Sequence, residues 1–370
     1  MIPSTTRQMQ STVHEDGHVH IELAEVSLEP PARNEVIIRM EASPINPSDL
    51  GTMFAGADLD TVAATESGVR AQLSDGALLA AAVRLGTPIP LGNEGAGIVV
   101  AAGGDADAQA LLGRTVAVRA GAYTQFRRIE AAHCLVLAEG TPPAKAASCF
   151  VNPLTALGMV DTMRLEGHSA LVHTAAASNL GQMLVRICVA DDVPLVNIVR
   201  SEAQAKLLHD LGATYVCDMT ASNFDDTLAA TLAETGATLG FDATGGGALA
   251  SRILAAMERA LSRGAGYSRY GSTVHKQVYL YGSLQAGATQ LNRSYGMAWG
   301  VGGWLLTNFL TRVGPERARD LMNRVASELD STFASGYTQT VSLAGALEVD
   351  AIAVYGKRAT GEKFLIAQAS

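Results

Sequence analysis

Apolar and polar positions alternate along residues 19–29 and 35–43 (VHIELAEVSLE and EVIIRMEAS), a period of two that predicts half-buried strands. Ser43–Asp49 (SPINPSD) holds two prolines and an asparagine and is expected to be a rigid loop. Thr87–Gly97 is turn-rich and runs into a predicted strand at Gly97–Ala101, and Leu112–Val118 alternates again. Such a run of strands, without helix–strand alternation before residue 140, fits a small barrel. The pattern then changes. Helical stretches are expected from Thr141-Pro142-Pro143 and over Asn152–Met163. Beyond them come apolar strands at Ala170–His173, Leu195–Val199, Thr214–Val216, Thr238–Phe241 and Gln277–Tyr281. They take turns with helices at Leu180–Val189, Glu202–Leu211, Phe224–Glu234 and Ala248–Leu261. Strands alternating with helices of this length imply βαβ units and a parallel sheet. Glu316–Leu329 reads as an amphipathic helix, and Gly336–Val341 and Lys363–Ile366 as strands that return to the first domain. The predicted class is α/β, with a barrel domain over 1–150 and 315–370 and a doubly wound domain over 151–314 inserted in it.

Composition sharpens this picture in a few places. A chain of 370 residues exceeds one ordinary core. With 48% hydrophobic and 17% charged residues it reads as a globular enzyme. The net charge of -9 and the lack of a basic run argue against a nucleic-acid partner. A polyanionic cofactor remains open, because such binding depends on local donors. The four cysteines form no CxxC pair, so neither a zinc ribbon nor a disulfide framework is expected. The first residues lack a signal peptide's apolar stretch. Ser294–Thr311 carries no formal charge but is rich in glycine, and is expected to be a buried wall or an interface rather than a membrane span. A cytoplasmic protein without a membrane partner is the expectation.

The candidate chemistry starts at His173–Gly181 (HTAAASNLG), between the first apolar strand and a helix. A phosphate group needs backbone N–H donors at a helix N-terminus and small residues that let it approach. Ala175, Ala176, Ala177, Ser178 and Gly181 meet the size requirement, and Asn179 and Leu180 open the helix. The GxGxxG pattern is absent, so a closely packed strand–turn–helix is the alternative. The next strand ends at Arg200, where an acidic residue would hold a ribose 2′-hydroxyl. An arginine there can make a forked pair with a 2′-phosphate, which favours NADPH over NADH; a solvated surface residue is the plain reading. Ala243, Thr244 and Gly245 follow the fourth strand, and Tyr281 and Gly282 end the last one. They are cofactor-side candidates, because ligands of open parallel sheets sit beyond the carboxyl ends of the strands. Asp242 is either a loop-organising carboxylate or a ligand group.

Together these features resemble the medium-chain dehydrogenase/reductase superfamily, over nearly the whole chain. SPINPSD, GNEG (Gly92–Gly95), VNPLTA (Val151–Ala156), the AxxSxxG of Ala175–Gly181 and VYLYG (Val278–Gly282) carry the resemblance. It is greatest to the zinc-independent quinone oxidoreductases and mitochondrial-type 2-enoyl thioester reductases. The resemblance implies a GroES-like barrel plus a Rossmann domain, an active site in the cleft between them, hydride transfer from NADPH, and a dimer through the cofactor domains. It puts Asn152 and Thr155 near the nicotinamide and its ribose. Zinc-dependent relatives place a cysteine where this chain has Asn46 and a histidine where it has Asn93, so no zinc is expected. Enoyl thioester reductases also carry a tyrosine a few residues after SPINPSD. Here the stretch reads LGTMFAGAD, and Phe54 has no acidic proton. The alanine-rich segment Ala55–Gly86 is longer than the usual connection, and either shapes the substrate pocket or is peripheral.

The leading expectation is hydride transfer from NADPH to the β-carbon of an enone or enoyl substrate. The growing oxyanion would be met by Asn46, Asn93 or nearby N–H groups, and the proton would come from Tyr123 or solvent, with Thr155 at the reacting end. For Asn46 and Asn93, loop scaffolding is the competing role. Quinone reduction is the enzymatic alternative. A dinucleotide-binding relative without turnover is the non-enzymatic one.

Overall fold

The computed structural model describes residues 2–359, 361 and 363–368, and the chain divides into two units. One is Met1–Val151 with Met322–Ser370; the other is Asn152–Leu321.

The first unit opens with a hairpin that the sequence reading missed, strand β1 (Thr5–Val13) paired along its length with β2 (His18–Ser27). Its inward positions include polar Thr6 and Ser11 beside Met9 and Val13, so apolar alternation is weak there. Next come β3 (Glu35–Pro44), helix α1 (Pro47–Phe54), β4 (Asp58–Ala64), β5 (Gly68–Gln72), helix α2 (Asp75–Ala80) and the short β6 (Ile89–Pro90). They are followed by β7 (Glu94–Ala102), α3 (Ala106–Gln109), β8 (Thr115–Arg119), β9 (Phe126–Glu130), β10 (Leu135–Val136) and α4 (Pro143–Ala146). One sheet runs β4-β5-β2-β1-β6.

Two expectations change here. SPINPSD is not wholly loop, because its second half starts α1. Pro47 stands at the first helical position, where its missing N–H costs nothing, and Asp49 Oδ2 accepts the Asn46 amide at 2.8 Å as a cap. The long segment after Phe54 holds a two-stranded ribbon before the short helix α2. The β4–β5 ribbon extends the first sheet, and Val69, Ala71 and Leu73 enter the core beside Ile21 and Met53. Arg84 closes the segment by donating to Thr52 O at 3.1 Å and Ser11 Oγ at 2.6 Å.

The second unit is α5 (Val151–Leu165), β11 (Leu171–His173), α6 (Asn179–Ala190), β12 (Leu195–Val199), α7 (Glu202–Asp210), β13 (Tyr215–Asp218), α8 (Phe224–Thr235), β14 (Leu239–Asp242), β15 (Gly245–Gly247), α9 (Leu249–Leu261), β16 (Lys276–Leu280), β17 (Gln285–Thr289) and β18 (Trp299–Gly303). Helix α5 is entered at Val151, the last residue of the first unit's opening segment. All ladders of the sheet β13-β12-β11-β14-β16-β18 are parallel. Each residue of β12 is buried, as expected of a strand covered on both faces. The uncharged stretch 294–311 supplies β18 and the first turn of α10 (Leu306–Ser327), and not a continuous wall. Met297 and Leu305 are exposed. Its glycines kept the strand out of the sequence reading, since they have low strand preference.

Helix α10 kinks at Gly314-Pro315, and the unit boundary falls inside it. The chain then adds β19 (Gln339–Val341), helix α11 (Val349–Tyr355) and β20 (Phe364–Ala367) to the first unit. There the second sheet runs β10-β8-β7-β3-β20-β19, with β9 also on β3.

Candidate functional site

In the second unit the cofactor candidates gather at the carboxyl ends of neighbouring strands. After His173 the backbone turns through Ala175, at φ 50°, and small buried Ala176 and Ala177. Ser178 caps α6, its Oγ accepting the Gly181 amide at 3.1 Å. A Cβ at Gly181 would stand 2.1 Å from Ala176 O, so only glycine lets the helix lie this close to the turn. Asn179 and Leu180 form the first turn, whose amides lack acceptors within the helix and add to its positive end. These features fit a phosphate group. Arg200 follows β12, which pairs with β11. It is exposed, and its guanidinium makes no hydrogen bond or ion pair among the described residues.

Asp242 proves to organise loops. Its Oδ1 accepts Thr174 Oγ1 at 2.8 Å, Thr244 N at 2.8 Å and Thr244 Oγ1 at 2.7 Å, while Thr174 Oγ1 accepts Ala243 N. The loops after β14 and β16 touch: a Cβ on Gly282 would lie 2.6 Å from Ala243 O, and one on Gly245 2.5 Å from Gly282 O. Tyr281 Oη sits 2.7 Å from His173 Nε2. Burial pushes His173 down to about 3, so the imidazole is neutral near pH 7 and is no acid. Asn152 and Thr155 are buried along α5.

In the first unit Asn46, Asn93 and Glu94 meet around one buried carboxylate. Asp49 accepts the amides of Asn46 and Asn93, each at 2.8 Å, and so fixes the two loops against each other. Asn46 Nδ2 donates to Glu94 Oε1 at 2.8 Å. Glu94 Oε2 takes the amides of Phe150 at 2.8 Å and Val151 at 3.0 Å, where the chain enters α5. Glu94 is thus the hub of the loop geometry. Burial raises its carboxyl above the usual range, opposed by nearby Lys363 and by those donors. Asn93 Nδ2 donates to Ser48 Oγ at 3.1 Å. Tyr123 is completely buried and donates its hydroxyl to Pro44 O at 2.9 Å. Burial raises that phenol well above its ordinary value. Phe54 is likewise core. Among the described residues, no group of three or more His, Cys, Asp or Glu side chains is placed to hold a metal ion.

Asp49 gives a test of this arrangement. Burial pushes its carboxyl up to about 7, against the pull of the two amides. Between about pH 4 and 7 the unfolded chain has released this proton and the folded chain keeps it. Stability from this site is therefore full below about pH 4 and is lost as pH rises through 7. Glu94 contributes in the same direction. The unfolding midpoint of the wild type should fall across that window, and Asp49→Asn should flatten the slope. An equal slope in the variant would contradict the assignment.

Three groups near Glu94 were not singled out from sequence. Lys363 Nζ donates to Ser148 Oγ at 2.8 Å, and Ser148 Oγ lies 2.8 Å from Tyr337 Oη. Lys363 stands alone before a short strand, and no local pattern distinguishes it from a surface lysine.

A sheet unit interrupted in the sequence by a second unit with a six-stranded parallel Rossmann-type sheet has the medium-chain dehydrogenase/reductase fold. The proteins that the chain is similar to include enoyl-[acyl-carrier-protein] reductases in sequence, and a candidate NADPH:quinone reductase and enoyl thioester reductases in fold. Mouse mitochondrial enoyl-[acyl-carrier-protein] reductase is 29% identical over 221 residues, 58% of this chain and 53% of that protein. The chain thus matches about half the length of this relative. A candidate NADPH:quinone reductase from Mesorhizobium loti superposes with TM-score 0.73 at 23% identity, covering 99% of each chain. The Etr1p/NADP/crotonyl-CoA complex gives TM-score 0.68 at 17% identity, over 99% of this chain and 100% of the other. No family model matches the chain.

Proposed function

We propose that the chain is an NADPH-dependent reductase that adds hydride to an activated C=C bond of an enone or enoyl substrate without zinc. The observation that carries this reading is the small-residue turn Ala175–Gly181, with its capped helix and Arg200 at the end of the adjoining strand. The nicotinamide, when bound, supplies the hydride. The first-turn amides of α6 would hold its pyrophosphate, Arg200 the 2′-phosphate, and Ala243–Gly245 with Tyr281-Gly282 the nicotinamide end, beside Asn152 and Thr155. Asn46, held by Glu94, and Asn93, with a second N–H beyond its bond to Ser48, are positioned donors for the carbonyl oxygen as negative charge grows there. The enoyl reductase relative and the crotonyl-CoA complex support the substrate class.

Quinone reduction is the second reading. Phe54 in the core favours it, because a quinone needs no acid placed at a carbon, and one structural neighbour is a candidate quinone reductase. Turnover of 2-enones, enoyl thioesters and quinones with NADPH beside NADH decides between them. The expected result is fastest NADPH oxidation with an enone or enoyl acceptor. Turnover of quinones alone would select the second reading, and no turnover with any acceptor would leave a dinucleotide-binding protein.

We further infer a homodimer, supported by the open outer edge of β18, which has no partner strand among the described residues. No described helix is long and apolar enough to cross a membrane. A cytoplasmic location is our reading of the acidic chain, and its relatives make mitochondria the competing site. Imaging of the tagged protein separates the two.

A further inference from the structure

The buried acids of the second unit are matched with cations, with one exception among the described residues. Asp161 is held by Arg317 at 2.7 Å, and Glu258 by Lys276 at 2.7 Å. Asp242 has no exposed surface and no ion pair among the described residues. Its three hydrogen bonds all end on Oδ1, from Thr174 Oγ1, Thr244 N and Thr244 Oγ1, and Oδ2 is buried without a partner. Every partner is a donor. The Thr174 oxygen takes the Ala243 amide at 2.8 Å, so its own proton goes to Asp242. With nothing beside either oxygen to accept a proton, the group is held as the carboxylate. His173 and Tyr281 share this sheet edge and bring no positive charge. The imidazole, pushed down by burial to about 3, is neutral near pH 7. Burial, together with the Asp242 charge, holds the Tyr281 phenol well above its ordinary value.

A buried charge without a countercharge is costly. Asp242 is the last residue of β14, in the middle of the sheet's carboxyl edge. On one side Thr174 leads straight into the Ala175–Gly181 turn. On the other the Tyr281 amide donates to Asp242 O at 3.1 Å, and Gly282 backs onto Ala243. This is the edge at which an open parallel sheet takes a dinucleotide. NADPH and NADP+ differ by one charge at the nicotinamide. The reduced ring is neutral, and loss of hydride with its electron pair leaves the ring cationic. We propose that Asp242 is the countercharge of the oxidised nicotinamide, so that its carboxylate favours NADP+ over NADPH and thereby favours release of hydride to the acceptor. This rests on the reading of that edge as an NADPH site. The hydride and its pair go to the acceptor, the ring keeps the positive charge, and Asp242 gives up no proton. The role asks for a field and not a contact, so a carboxylate buried beneath the loop serves it.

The test compares two binary complexes and needs no substrate. Asp242→Asn keeps Oδ1 for its three donors and puts the amide nitrogen where Oδ2 bonds to nothing, so it removes the charge and no described hydrogen bond. Titration calorimetry with NADPH and with NADP+ should show the ratio of the two Kd values shifted roughly 10-fold against NADP+, the size of a unit-charge interaction over several ångströms at a protein's effective dielectric constant. Asp242→Ser, smaller and also uncharged, should shift the ratio the same way. Thr174→Val removes one bond to the carboxylate and the acceptor of the Ala243 amide without a change of charge. It should weaken both cofactors alike. Cyanide adds to C4 of the nicotinamide cation and leaves the ring neutral. On bound NADP+ it should add roughly 10-fold more tightly in Asp242→Asn than in the wild type. The unfolding midpoint of each variant reports folding. A folded Asp242→Asn with the wild-type Kd ratio and cyanide affinity leaves Asp242 its loop-organising role alone and overturns the inference. A Thr174→Val that moves the ratio as far assigns the shift to loop shape and overturns it too. A wild type that binds neither NADPH nor NADP+ overturns the site reading beneath it, and the inference falls with it.

Discussion

Arg200→Ala is expected to raise the NADPH KM by roughly 100-fold and to leave the NADH KM nearly unchanged. The size follows from the bonds at stake. Charge-assisted hydrogen bonds contribute about 1.5–3 kcal/mol, and a guanidinium meeting a phosphate makes two of them in parallel. About 2.7 kcal/mol is a hundredfold. No described residue competes for this side chain, because Arg200 is exposed and makes no side-chain bond among them. The substitution should also leave the backbone intact, since the Arg200 amide donates to Gln204 Oε1 at 3.1 Å whatever the side chain is. NADH has a hydroxyl in place of the 2′-phosphate and gains little from the guanidinium. Steady-state kinetics with the two cofactors and one acceptor measures the difference. Equal changes in both KM values would remove Arg200 from the site.

The second large effect is on folding. Glu94→Ala should lower stability by about 3–5 kcal/mol, the loss typical of breaking a buried charged group's network from one side. The carboxylate has no exposed surface and serves three donors, on Asn46, Phe150 and Val151. Removing it takes an acceptor from all three in a dry interior, beside Lys363 with less compensating charge. In a domain of this size the shift is roughly 10 °C in the unfolding midpoint. Glu94→Gln keeps the volume and one acceptor oxygen, but sets an NH2 group against one side of the network. It should therefore also destabilise, by less. Calorimetry decides. A Glu94→Ala protein as stable as the wild type would show that the carboxylate is dispensable to this junction. What the group contributes is position, because Glu94 holds the Asn46 amide and Asp49 ties both loops.

How far the sequence carried depended on how local each signal was. β12 was placed to the residue because four buried apolar positions around Asn197 leave little choice. The parallel sheet followed from its alternation with helices. Helix α1 was missed although its signals were present: proline at the first position and an acid two residues later read as turn punctuation when taken one at a time. β1 and β18 were missed for opposite reasons, the first through buried polar residues and the second through glycine. The phosphate turn could be found because size and order along the chain define it. The group around Glu94 could not, since its members come from β7, α1, the entry to α5, and the start of β20, separated by hundreds of residues. Only their chemical type was visible, and Lys363 is one cation among 27 lysines and arginines.

The position of β20 within its sheet has a consequence for synthesis. Phe364–Ala367 lies between β3 and β19, and the Ile45 amide bonds to Phe364 O at 3.0 Å. β3 is among the first strands to leave the ribosome, and it waits for nearly the whole chain before its neighbour arrives. Every strand of the parallel sheet, by contrast, lies between residues 171 and 303. Domains tend to fold as units while the chain emerges. The unit with the parallel sheet is therefore complete first, although it is written second, and the other unit spends that interval with an unzipped seam. That seam is the vulnerable surface of the nascent protein, and a chain lacking Phe364–Ala367 would leave it permanently open.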